Sequence, residues 1–99
     1  MAGLVFEDFE PHQGGLFIVH EDDLPPLELT LETAERLKVR GGPGPDMRPP
    51  FSLVFRCAEQ EPLPGRIYCL EHPAMGQVAI YLSAIGRDQD GVQYEALFN

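Results

Sequence analysis

Ninety-nine residues, of which 43% are hydrophobic, make one domain with a single modest core; ten glycines and ten prolines mark turns in it and do not make the chain disordered. The formal charge of −9 is regional, since residues 1–35 hold nine acids and no Lys or Arg while residues 36–99 hold seven charges of each sign. An acidic surface repels phosphate backbones, and no apolar run nears the ~20 residues of a membrane span, so neither nucleic acid nor membrane is expected as a partner.

Residues 1–15 predict a short helix acting as a plug or lid. Leu4, Val5, Phe6 and Phe9 can share one side, and Pro11 with Gly14-Gly15 ends the element. The acids in "MAGLVFEDFE" are unlike a signal or transit peptide, and a cytoplasmic location is expected. From Leu16 the period changes to two. "LFIVHE" begins a strand, and "EDDLPP" breaks it because proline has no amide hydrogen to donate. "LELTLETAERLKV" sets Leu27, Leu29 and Leu31 against Glu28, Thr30 and Glu32, a half-buried strand whose tail "TAERLKV" also has the composition of a helical turn. Residues 41–50 are rich in Gly and Pro and read as a surface loop.

"PPFSLVFRC" supplies a third strand, with Phe51, Leu53, Phe55 and Cys57 on one face and Arg56 on the other. "RIYCLEH", "QVAIYLSAIG" and "VQYEALFN" follow, the last expected to pack Tyr94, Ala96 and Phe98 in the core. Six short strands with a turn signal in every gap predict an all-β, mainly antiparallel domain over residues 1–99: a small six-stranded barrel or rolled sheet with a short N-terminal helix. Strand 77–85 is apolar on both faces, Val78, Ile80 and Leu82 against Ala79, Tyr81 and Ile85, so its outer face awaits the N-terminal helix or a partner subunit.

The cluster most like an active site is Cys69, Glu71 and His72, residue types that serve as nucleophiles, bases and metal ligands. On a strand the first two point one way and His72 the other, and Cys-x-x-His lacks the second pair of a closed zinc site. Cys57 and Cys69 would meet if their strands were antiparallel neighbours, although buried reduced thiols are the commoner outcome. His12, His20 and His72 are scattered, with no metal-site spacing. Arg36, Lys38, Arg40 and Arg48 gather about the long loop and suit a carboxylate, a phosphate or an acidic patch on another subunit, with Arg56 a further candidate contact. "RGGPGP" lacks the lysine and following helix of a phosphate-binding loop.

Together "PPFSLVFRC", "LPGRIYCLEHPAMG" and "YEALFN" resemble a bacterial family designated domain of unknown function 6916, over residues 9–99. Its pattern runs PFSL-x-F-R-G, LP-x-G-x-Y-x-LEHP-x-LG, LFL-x-P-x-G and YEA-x-FN. This chain departs from it at Cys57 for Gly, Met75 for Leu and Ala84 for Pro. The resemblance implies no thiol at position 57 and no assigned activity, cofactor or catalytic residue. The resemblance also sets its members beside phage-tail-collar-like proteins, which implies at most a structural or assembly role in a phage-tail-like or other bacterial protein assembly.

The expectation is therefore a non-catalytic binding or assembly module, without cofactor or metal, whose partner is another protein or a second copy of itself. The alternatives are a small metal- or thiol-dependent enzyme centred on Cys69, Glu71 and His72, and a small-ligand carrier at the barrel mouth near Arg40 and Arg48.

Overall fold

The computed structural model describes residues 4–37, 50–59 and 61–98. The chain opens with α1 (Phe6–Phe9) and a 3₁₀ turn (Glu10–His12), and continues as β1 (Leu16–Val19), β2 (Leu27–Arg36), β3 (Phe51–Cys57), β4 (Arg66–His72), β5 (Gly76–Asp88) and β6 (Gly91–Phe98). Lys38, Arg40, Arg48 and most of the Gly/Pro-rich loop lie outside the described residues. No helix among the described residues is long and apolar enough to cross a membrane.

All neighbouring strands are antiparallel, and the ring runs β1-β2-β3-β6-β5-β4. It is a rolled sheet and not an even barrel. The seam between β1 and β4 joins only Ile18 to Glu71 and Val19 to Leu70, whereas β3 and β6 stay in register from Phe51↔Phe98 to Cys57↔Val92. The alternation seen in the sequence sorts inner from outer side chains: Phe17, Leu29, Leu53, Phe55, Leu70 and Leu82 are all at most 2% exposed. Tyr94 and Ala96 are in the core as expected, and Phe98 packs against it.

The tail of β2 is strand as far as Arg36, where local composition also suited a helix. Pairing with β3 through Thr33↔Val54, Ala34↔Leu53 and Glu35↔Ser52 decides the matter, because a ladder of main-chain bonds outweighs propensities of a few tenths of a kcal/mol. A bulge between Leu31 and Thr33 shifts the alternation after outward Glu32 and turns Ala34 toward the core. The tight β5–β6 turn needs glycine at Gly91, whose φ is +125° and where a Cβ would lie 1.9 Å from the Cys57 carbonyl oxygen.

The predicted plug exists and is short. Asp8 accepts a hydrogen bond from the Val5 N–H at 2.8 Å, which starts the helix, and Pro11 opens the 3₁₀ turn, where a missing N–H is harmless. Phe6 and Phe9, three apart, face the barrel; Phe9 is fully buried with ring centroids 6.5, 6.0 and 5.7 Å from Phe17, Phe51 and Phe98. Arg36 clamps the plug, its guanidinium 4.6 Å from the centre of the Phe6 ring and paired with Glu7. The opposite end is closed differently. There Tyr94 Oη accepts from the Leu63 N–H at 3.0 Å, and Arg66 lies over Tyr68 while its two terminal nitrogens donate to Asp23 at 3.0 and 2.9 Å.

Candidate interaction surfaces

Alternation along β4 places Cys69 and Glu71 on the outside and His72, 9% exposed, on the inside, so the three groups do not converge. Glu71 instead meets His20 at 3.2 Å. Nδ1 of His72 accepts the Ala74 N–H at 3.0 Å, which fixes the turn before β5, and its ring lies 4.6 Å from that of Phe17 and 4.3 Å from that of His12. Burial, and secondarily His12, pushes His72 below the ordinary histidine range, so the imidazole is neutral. Among the described residues no group of three or more His, Cys, Asp or Glu is placed to hold a metal ion.

Cys57 and Cys69 do not meet. β6 and β5 stand between β3 and β4 in the ring, Cys57 points inward and Cys69 outward, and both are free thiols. Burial pushes the Cys57 thiol up, away from the reactive thiolate.

The same strand order sets the surroundings of Arg56. Its neighbours are β2 and β6, and the "LEH" of β4 is elsewhere on the ring. Arg56 donates to Glu32 and to Asp88, each at 2.8 Å, and Gln93 donates to the other Glu32 oxygen at 2.9 Å. Hydrogen bonding from Arg56, then Gln93, holds Glu32 below the usual carboxylate range; Arg56 and the Asp90 N–H do the same for Asp88. The guanidinium is correspondingly raised, first by Glu32 and then by Asp88. These bonds occupy Arg56 within the sheet. Arg40 and Arg48 lie outside the described residues, and at the barrel mouth from which their segment departs Phe9, Phe51 and Phe98 fill the opening.

The exterior of β4, β5 and β6 differs sharply from this. Ile67 and Tyr81 are direct cross-strand partners, 63% and 56% exposed, and Leu97 on the outward side of β6 is 60% exposed. Cys69 and Ala79, the next outward pair, extend the stripe without charge. Tyr81 lies across Gly65, where a Cβ would come within 2.8 Å of the phenol oxygen, so the missing side chain makes room for the ring. The β4 ladder ends at Arg66↔Leu82 while β5 continues to Asp88. From Ser83 to Gly86, beside exposed Ile85, β5 has no strand on that side among the described residues.

The N-terminal helix therefore plugs the barrel end and does not cover the outer face of β5. Tyr81 and Ile85 were recognisable from the two-sided pattern of their strand. Ile67 and Leu97 required the register, because each sits in a strand that reads as ordinarily half-buried.

The model of a family described as a domain of unknown function (DUF6916) matches residues 4–98. No curated protein and no solved structure matches the chain.

Proposed function

The chain belongs to the DUF6916 family, and we propose that it is a non-catalytic binding or assembly module whose working surface is the outer face of β4, β5 and β6. One observation carries the reading: the exposed cross-strand pair Ile67–Tyr81 with Leu97 on the same side of the sheet. Single exposed hydrophobics are ordinary, but three large ones gathered on one strand triplet beside an open stretch of β5 make a surface that gains by being covered. Apolar area removed from water is worth about 25 cal/mol per Å², and an open strand edge adds main-chain hydrogen bonds to a partner strand.

The partner this surface fits first is a second copy of the chain, because an apolar, uncharged stripe is complementary to itself across a two-fold axis. Ile67→Thr/Tyr81→Lys removes the stripe while keeping residues that a strand accepts. In light scattering at about 0.5 M salt, where ionic contacts are screened, the natural chain should exceed monomer mass with rising concentration and the variant should not. A natural chain that remains a monomer at high concentration contradicts self-association through this face.

A further inference from the structure

The end of the ring opposite the plug carries a second, chemically different surface. Between the β1–β2 and β3–β4 connections lie two adjoining cavities of about 230 and 380 Å³, sharing Leu27 and Glu59. Leu24, Pro25, Leu27 and Leu63 form the apolar floor of one, and Ile18 joins Leu27 in the other. Glu28, Glu59 and Glu61 form the rim, and no lysine or arginine lines either cavity.

Like Asp8, Glu35 and Glu95, the rim acids have no ionic partner among the described residues, and here three of them border one apolar floor. Glu7, Glu21, Asp23, Glu32, Glu71 and Asp88 each face a cationic group or a histidine, whereas Glu28, Glu59 and Glu61 are in no ion pair among the described residues. Arg66, at the start of β4, is held by Asp23 and Glu21. An apolar floor with an uncompensated acidic rim is complementary to a segment that mixes Lys or Arg with apolar residues.

The chain contains such a segment. Residues 38–49, "KVRGGPGPDMRP", carry Lys38, Arg40 and Arg48 against Asp46 alone, together with Val39, Met47 and three prolines. The segment leaves the plug end, where the Leu37 N–H donates to the Pro50 carbonyl at 2.9 Å. Tethered there at both ends, twelve residues reach at most about 20 Å out and back, at ~3.4 Å per residue. The groove begins at Leu27, a full ten-residue strand away from Leu37, or about 33 Å at ~3.3 Å per residue. The segment of the same molecule falls short of its own groove; that of a second molecule does not.

We infer that the groove receives segment 38–49 of a second copy of this chain, joining copies head to tail. The inference rests on the assembly reading above but not on the apolar face, and it concerns the opposite kind of contact: ionic and heterologous, so that each copy offers one donor end and one acceptor end.

The test uses the full chain carrying Ile67→Thr/Tyr81→Lys, which silences the apolar face. At about 0.05 M salt this chain should associate, and at about 0.5 M, where the screening length is only roughly 4 Å, it should not. Arg40→Glu/Arg48→Glu destroys the donor end and Glu59→Lys/Glu61→Lys the acceptor end. Each is expected to be a monomer alone, and the intact groove of the first mixed with the intact segment of the second should give a 1:1 dimer and nothing longer. A synthetic peptide of residues 38–50 should shift the methyl resonances of Leu24, Leu27 and Leu63 and lose at least tenfold in affinity for the Glu59→Lys/Glu61→Lys chain. A monomer at low salt, a mixture that does not dimerise, or a scrambled peptide that binds equally well overturns the inference. Loss of the salt-dependent dimer leaves the apolar-face reading standing, and loss of the salt-resistant one leaves this inference standing.

Discussion

The two sides of the barrel exterior are built from the same antiparallel ladder and finished in opposite ways. Over β2, β3, β6 and the last residue of β5, Arg56, Glu32, Gln93 and Asp88 are linked by hydrogen bonds across the strands, so long polar side chains clothe the sheet. Over the middle of β4 and β5 large apolar side chains take their place: Ile67 and Tyr81 face outward, and Leu97 is exposed on the outward side of β6. The difference teaches that exposure here is a property of particular strands and not of a core too small for its chain. The interior is filled, with Phe9, Phe17, Phe55 and Tyr68 fully buried.

The largest effect expected from breaking this contrast is along β5 itself. Leu82 points inward at 2% exposure beside outward Tyr81. Leu82→Ala should cost about 2–5 kcal/mol in urea or thermal unfolding, whereas Ile67→Thr/Tyr81→Lys should cost only about 0.5–1 kcal/mol. A severe loss from the second pair would mean that the outer residues are structural.

On the polar side, Arg56→Ala should lower Tm measurably and by less than Leu82→Ala, because it strips Glu32 and Asp88 of their shared partner. Arg56→Lys should recover only part of the loss, since an ammonium does not reproduce the guanidinium's spread of donors.

Acid should act in two stages. Neutral His72 is depressed by burial, so the unfolded chain gains its proton first; its contribution is full above about 6.5 and declines as pH falls below that. Glu32 and Asp88 are depressed by Arg56, so theirs is full above about 4.3 and lost only as pH falls further, through their lowered folded values. His72→Asn should flatten the upper stage of a stability-against-pH curve and Glu32→Gln should diminish the lower one. The smallest change in stability is expected from Cys69→Ser, an outward thiol next to the apolar pair, which should leave the unfolding free energy within about 0.5 kcal/mol of the natural chain's.

Much of this architecture was legible in the residues. Alternation in "LELTL", "FSLVFRC" and "RIYCLEH" placed strands and inner faces, since side-chain direction along a strand is a local property. Neighbours across the ring were not. Nothing between Cys57 and Cys69 announces that β6 and β5 separate their strands, and nothing around Arg56 names Glu32, which meets it across the β2–β3 pairing. The apolar surface was half legible for the same reason. Tyr81 and Ile85 betray themselves within one strand, while Ile67 and Leu97 acquire meaning only when strands are set side by side. The acidic groove needed still more, because Leu24 and Leu27 come beside Glu59 and Leu63 only through the register that sets Leu29 opposite Cys57.

The central claim, that the bare side of the sheet is an assembly surface, is tested most directly by light scattering over a wide concentration range at about 0.5 M salt, where ionic contacts are screened. The natural chain should rise above its monomer mass of 11.0 kDa, and Ile67→Thr/Tyr81→Lys should stay at it. A natural chain that holds the monomer mass throughout, or a variant that associates as well as the natural chain, would contradict the account.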